Sequence, residues 1–515
     1  MLEYLILGFQ TALEPGMLLY TAFGVLAGII IGLIPGLTIT MGVILVLPFT
    51  YGMQPTEGLT TMMGVWVGGA SGGLISSCLL GIPGKPSAVA TTFDGFPMSR
   101  NGEPGRALGL GTWASLFGGI IGWFFLATLT PLLADVGLKF GPWEFFALIA
   151  FSLTIIASLA GESLVKGLIA GLLGMLLATV GSDPMLAVPR FTFGNVQFES
   201  NFDFLTVLIG LFAFSQLMSD LEKQHSPERV ERIENPDTRI PTIRVLKDIW
   251  SNKVGMIWAS LVGLWIGIVP AAGGAVANVL AYDQAKKVSK HPEKFGTGYH
   301  EGIIASEAGN NSVSAGDLVP TMALGIPGDA VTAVMLGALL IHGLNPGPML
   351  MSTQPKLAYG LICAYLIATV LTLVIQLGLM RILVKLILIP KDLLIPGIFV
   401  MSALGAYVLN NRVFDMWVLF GFGLVGYFLV KHDFDLPPFV LGFLLEPIAE
   451  VNLKRALQTN SDWTLFFTRP ASGVFILLAI LSVAYYFYVG WNRARNPDPG
   501  PGADPAPAAA PNASH

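Results

Sequence analysis

The chain has 515 residues, of which 53% are hydrophobic and only 12% charged, with 60 glycines and a formal net charge of −5. A soluble domain carries about 25% charged residues, and an acidic chain without a basic stripe offers nothing to a phosphate backbone, so a soluble protein and a nucleic-acid binder are both excluded. Cys78 and Cys363 lie inside apolar runs; two such residues make neither a disulfide framework nor a metal site.

In chain order, the N-terminus MLEYLILGFQ places Glu3 where a signal peptide carries basic residues, so no cleaved leader is expected. Apolar runs follow at Met17–Ile34, Ala107–Leu133, Phe145–Leu159, Gly167–Val180 and Phe204–Met218, then at Leu357–Met380 and Gly473–Gly490. Several approach the roughly 20 residues that cross a hydrocarbon layer. With the shorter pieces between them, hydropathy predicts an all-α, polytopic integral membrane protein of about 10 to 12 membrane segments in a lipid bilayer.

The polar stretch Glu222–Asp248 divides the chain, and matching landmarks stand on either side of it. Gly32-Leu-Ile-Pro35 pairs with Gly267-Ile-Val-Pro270, an offset of 235, and Gly81-Ile-Pro-Gly84 pairs with Gly325-Ile-Pro-Gly328, an offset of 244. Pro142-Trp-Glu144 then pairs with Pro390-Lys-Asp392, and Gly171-Leu-Leu-Gly174 with Gly423-Leu-Val-Gly426. Collinear matches of this kind indicate an internal repeat.

Lys and Arg collect in cytoplasmic loops, and their distribution gives the sense of the repeat. The loop near Met53–Glu57 has none, whereas its counterpart holds Lys286, Lys287, Lys290 and Lys294. The next loop carries Lys85, Arg100 and Arg106 against Lys356 alone, and the third Lys139 against Arg381, Lys385 and Lys391. Such alternation is expected of two inverted repeats. The expected organisation is a first membrane repeat over 1–221, a cytoplasmic linker over 222–248, a second repeat over 249–490 and a disordered tail over 491–515.

Inverted repeats with interrupted hydrophobic segments point to secondary transport. Proline removes a helix hydrogen bond and glycine permits otherwise strained backbone, so the Pro-Gly pairs predict broken or re-entrant helices, tolerated at membrane depth where they are buried or line a wet cavity. A half-helix N-terminus there suits a carboxylate. The candidate substrate-binding residues are therefore Pro35, Gly36, Pro83, Gly84, Pro327 and Gly328 at the breaks, with Ser71, Ser76, Ser77, Asn310, Asn311 and Ser312 beside them. Glu307, Ser314 and Asp317 are costly in lipid and are candidates for a coupling ion, Na⁺ or H⁺. The plainer alternatives are that Gly-Pro kinks serve packing, that Glu307 lies in a loop outside the membrane, and that Lys85 is a solvated loop lysine.

Glu307-Ala-Gly-Asn-Asn311, LGIPGDAVTAVMLGALLIHGLNPGP at Leu324–Pro348, GIPGKPSAVATTFDGFPM at Gly81–Met98 and Ile34-Pro-Gly36 together resemble the signature of the large membrane subunit of the tripartite tricarboxylate transporters. The likeness runs from about Gly8 to Tyr488 and departs at Pro270-Ala-Ala-Gly273, where the family pattern has Pro-Gly. The resemblance implies a multi-pass permease of the bacterial inner membrane. It also implies a periplasmic substrate-binding protein that captures a small carboxylate, and a small four-helix membrane subunit as partner. Transport would be driven by an ion gradient, with no cofactor and no enzymatic activity; the chain has no G-x-x-x-x-G-K-[ST] phosphate loop.

Two rival classes are an intramembrane serine protease, with Ser71 in Gly69-Ala-Ser-Gly72 and His342 as base, and a passive anion channel.

Overall fold

The computed structural model describes residues 2–159, 163–223, 233, 236–270, 273–387 and 391–495. Residues 224–232, 234 and 235 of the expected linker, Ala271 and Ala272 of the Pro270 break, Pro390 of the third repeat landmark and the expected tail from residue 496 lie outside the described residues.

The first helices are α1 (Leu2–Ala12), α2 (Pro15–Leu33), α3 (Ile39–Thr50), α4 (Pro55–Leu80), α5 (Val89–Arg100), α6 (Pro104–Gly137), α7 (Pro142–Leu159) and α8 (Leu164–Ala178). A small antiparallel pair, β1 (Gly181–Ser182) and β2 (Pro189–Arg190), leads to the short α9 (Val196–Glu199), α10 (Phe204–Leu208), a π-helical turn and α11 (Ser215–Lys223). α12 (Thr242–Ser251) begins inside the expected linker, and after it come α13 (Lys253–Ile268), α14 (Gly273–Val288), α15 (His300–Leu324), α16 (Ala330–Ile341) and the short α17 (Pro348–Thr353). The chain ends with α18 (Pro355–Leu386), α19 (Lys391–Asn410), α20 (Val413–Lys431), α21 (Leu436–Thr459), α22 (Leu465–Thr468) and α23 (Pro470–Arg495).

Among the described residues, α2, α4, α6, α18, α20 and α21 are long and apolar enough to cross a membrane, and eight shorter apolar helices accompany them. This is an all-α, multi-pass membrane architecture, as the hydropathy predicts. The expected 10 to 12 segments therefore include helices too short to cross alone. α3 and α16, each of 12 residues, reach about 18 Å against a hydrocarbon layer of about 30 Å.

Two helices form the centre. α4 is buried continuously from Gly58 to Leu79 and α15 from Gly302 to Ala323. Glycines bring their neighbours close: a Cβ on Gly28 or Gly32 of α2 would overlap the carbonyl oxygens of Val65 and Gly69 on α4. A Cβ on Gly263 or Gly267 of α13 would overlap those of Gly309 and Val313 on α15. The second set follows from the first by the offsets of 235 and 244 read from the landmarks. Small residues let backbones meet in this way, which drives helix association in lipid.

α4 and α15 run antiparallel. The Leu79 carbonyl at the end of α4 accepts from Ile233 N of the linker at 3.4 Å. At that same face, Asn101 at the end of α5 donates to the Thr297 carbonyl just before α15 (3.4 Å), and Arg106 pairs with Asp248 of α12 at 2.8 Å. At the opposite face, His342 at the end of α16 lies against Gly58 at the start of α4. The flanks cross over: α6 packs on α15 and α18 on α4.

Candidate functional site

Each central helix ends in a left-handed glycine, Gly81 (φ +67°) after α4 and Gly325 (φ +74°) after α15. The chain then doubles back. Gly84 lies against the Gly32 carbonyl and the Gly73 Cα, and Lys85 reaches up to the Ala70 carbonyl, a bond of 2.5 Å. Ala70 lies ten residues before the end of α4, about 15 Å along its axis. Gly328 likewise lies beside Asp317, where a Cβ would come within 2.6 Å of the Asp317 Cα. The second Gly-Ile-Pro-Gly segment is thus a break buried throughout, whereas in the first Gly84 is buried and Gly81, Ile82 and Pro83 are half-buried.

Where α4 crosses α15, polar side chains converge. Ser71 donates to Asn311 Oδ1 (2.9 Å), Asn311 Nδ2 donates to Ser115 of α6 (2.8 Å), and Asn310 Nδ2 donates to the Ala70 carbonyl (2.8 Å). Glu307 accepts from Thr91 of α5 at 2.6 Å and from Ser115 at 3.1 Å, and is wholly buried. The reading of Glu307 as a loop residue outside the membrane is therefore incorrect: both its oxygens are bonded inside the bundle.

Lys85 overturns a second expectation. Rather than a solvated loop lysine, it is 3% exposed, because the break folds its stem over Gly73, whose missing Cβ leaves room for it. Its ammonium donates to two neutral oxygens, Ala70 O and, at 3.4 Å, Asn310 Oδ1; among the described residues it has no ion-paired carboxylate. Gly274, in the first turn of α14, lies close to Asn310 and Ser87, so a helix N-terminus faces the same group.

The other predicted residues divide. Ser76 and Ser77 bond within the first break, to Gly73 O and Ala88 O. Ser312 turns away, bonding Ser260 O of α13 at 2.7 Å. Ser314 is buried, and no hydrogen bond of its hydroxyl is described. Pro35 and Gly36 (φ +97°) form the α2–α3 break, after which Thr38 caps α3. Pro327 is buried beside Gly328, and Asp317 is 1% exposed with an Oδ1 that accepts no hydrogen bond.

Asp329 corrects the idea that every half-helix offers a free N-terminus. Its carboxylate already caps α16, accepting from Thr332 N at 2.8 Å. Sequence reasoning also passed over Thr91, Ser115, Asn278, Tyr365 and Gln376. Tyr365 donates to Asn311 O (2.7 Å), Gln376 to Ser71 O (3.1 Å), and Asn278 accepts from Ala90 N (2.7 Å). Gln376 had a signal of its own, as an amide inside the apolar run Leu357–Met380, where a polar group is costly in lipid.

The serine-protease constellation is not assembled. Ser71 is bonded to an amide, and His342 sits against Gly58, thirteen residues earlier on the same helix, about 20 Å away.

Comparison with known proteins agrees with this architecture. The sequence profile of the tripartite tricarboxylate transporter TctA family matches residues 18–441. The "Uncharacterized 52.8 kDa protein in TAR-I ttuC' 3'region" of Agrobacterium vitis is 33% identical over 486 residues, covering 94% of this chain and 95% of the relative. The "Uncharacterized protein in TAR-II ttuC' 3'region" of Agrobacterium vitis is 33% identical over 222 residues, covering 43% of this chain and 92% of the relative. No solved structure matches. With its profile match spanning most of the chain and its multi-pass helical fold, this protein belongs to the tripartite tricarboxylate transporter TctA family.

Proposed function

We propose that this chain is the large permease subunit of a binding-protein-dependent secondary transporter in the bacterial inner membrane, importing small carboxylates by ion-coupled alternating access. A periplasmic binding protein would deliver the substrate, and a small four-helix membrane subunit would accompany the permease. The two membrane halves, 1–221 and 249–490, would be inverted repeats that rock about a site at the crossing of α4 and α15. Supporting inversion, α4 and α15 are antiparallel, and the basic loops around Arg100, Arg106 and Lys294 meet the linker side on one face.

One observation carries the substrate class: Lys85 is a buried ammonium satisfied only by neutral oxygens. Glu307 is near enough to act on it but makes no direct ion pair with it, and burying a charge without a direct partner costs several kcal/mol even after relaxation. A carboxylate arriving beside Lys85, Asn310 and the first turn of α14 would offset that cost with a charge-assisted bond and helix-dipole stabilisation. Glu307, held by Thr91, Ser115 and the neighbouring amides, would keep the site from trapping anions permanently.

Counterflow in proteoliposomes, with the binding protein supplied, tests the reading. Saturable exchange of labelled carboxylate, lost in Lys85→Met while the variant still inserts, is expected. Non-saturating flux down the gradient would instead mark a passive channel, and unchanged exchange in Lys85→Met would remove that residue from the substrate path.

A further inference from the structure

The two breaks are built alike but charged oppositely. The offset of 244 that maps Gly81–Gly84 onto Gly325–Gly328 also maps Lys85 onto Asp329 and Gly73 onto Asp317. In the first break the lysine stem lies over the bare glycine, with Lys85 Cγ 3.0 Å from where a Gly73 Cβ would stand. In the second, the corresponding two positions are both acids, and Gly328 packs directly on Asp317.

Their hydrogen bonding differs in a way that points to an occupant. Asp329 Oδ1 is bonded by the backbone and hydroxyl of Thr332, each at 2.8 Å, and sits at the positive end of α16, where a carboxylate is stabilised. It is a settled anion. Asp317 is 1% exposed and its Oδ1 has no donor. A buried carboxylate without donors or a counter-charge is strongly disfavoured. Gly328 packs on the Asp317 Cα, Cβ and carbonyl and so brings the Asp329 carboxylate near enough to act on Asp317; the Thr321 hydroxyl beside them donates to the Asp317 carbonyl and accepts from Gly328 N at 3.3 Å. Oxygen donors of this kind suit a hard cation.

We infer that the second Gly-Ile-Pro-Gly turn is a cation site, in which Asp317 and Asp329 hold Na⁺ or a proton in the place that the Lys85 side chain occupies in the first turn. This rests on the transport reading only for its purpose; the site itself is a matter of binding. It moves the coupling role to Asp317 and Asp329, away from Glu307, whose oxygens are already bonded. It also separates the charges: the first turn receives the anion, the second the cation.

The test is thermal unfolding of the purified full chain in nanodiscs, without substrate or binding protein, in NaCl against choline chloride at equal ionic strength, at pH 8 and pH 6. A saturable rise in midpoint with Na⁺ at pH 8, on the order of a few degrees, identifies sodium. A rise on acidification that ignores Na⁺ identifies a proton. In either case Asp317→Asn abolishes the response. Asp329→Asn weakens the sodium response while the asparagine still caps α16, and Asp433→Asn, on the exposed surface, keeps it. A wild-type chain with neither response, or an Asp317→Asn variant that retains it, overturns the site. If the cation response is intact but counterflow is absent, the transport reading fails and the site stands.

Discussion

The central helices α4 and α15 begin at opposite faces, and the two faces are closed by different means. At the start of α15, Asp94 from the middle of α5 accepts from the backbone N–H groups of Gly296, Gly298 and Tyr299 at 2.9, 2.9 and 2.7 Å, and from the Tyr282 hydroxyl at 2.8 Å. Gly302 leaves space for that carboxylate; a Cβ there would overlap Asp94 Oδ2. The equivalent position 244 residues earlier, Gly58, lies against the His342 imidazole and Thr50. One of these positions is therefore latched by four hydrogen bonds to a carboxylate, while the other lies against an imidazole and a threonine. Hydrogen bonds to charged groups are worth about 1.5–3 kcal/mol each, so Asp94 ties α5 firmly to the start of α15. Under the proposed rocking, a tie made in one state and lost in the other would set which state is populated at rest.

Breaking the latch has the largest expected effect. Asp94→Ala strands three backbone donors and should cost on the order of 3–5 kcal/mol, read as a lowered unfolding midpoint and as faster labelling of a cysteine placed at Asn101. His342→Ala should stay within about 1 kcal/mol. Equal effects from the two would show that the seals are equivalent.

The next effect lies at the pivot between the faces. Asn311→Ala removes the bonds to Ser71 and Ser115, and Asn310→Ala removes an acceptor from Lys85. Each should lower uptake by about tenfold, matching roughly 1–2 kcal/mol per lost bond, with insertion unchanged; unaltered uptake in both would take the crossing out of the substrate path. Gln376→Leu follows, at about 1 kcal/mol of stability, because its Oε1 is already without a partner and only the bond to Ser71 O is lost.

The smallest effect belongs away from both seals. Asp183 is bonded by Lys454, which holds its carboxyl below the usual range. A depressed carboxyl contributes fully above its unfolded value and loses that contribution only as pH falls through the folded one. Asp183→Asn should therefore differ from wild type by a constant small amount between pH 5 and 8, in thermal unfolding, and the two should converge only in strong acid. A difference that varies across neutral pH would contradict this assignment.

Much of the molecule could be read before folding. The breaks at Gly81–Gly84 and Gly325–Gly328 and the buried polar run of α15 follow from local chemistry, since proline and glycine interrupt a helix wherever they stand and polar groups in apolar runs must be sheltered; the family likeness rests on the signature segments themselves. Lys85 could not be placed in this way. A lysine after a Gly-Pro turn is ordinarily solvated, and only the doubling back of the chain over Gly73 buries it. Asp329 was passed over for the same reason, because its part depends on which helix it caps and on the acid that Gly328 brings alongside.

Sequence by itself determined a polytopic helical membrane protein, its interrupted segments and the residues that lipid would not tolerate alone, because hydropathy, helix breaking and desolvation act over a few neighbouring residues. Tertiary structure alone decided which of those residues meet. Ser71 and Asn311 are 240 positions apart, Lys85 and Asn310 225, and contacts of that range are set by how the glycine-lined helices pack, a property of the whole bundle that no local window contains.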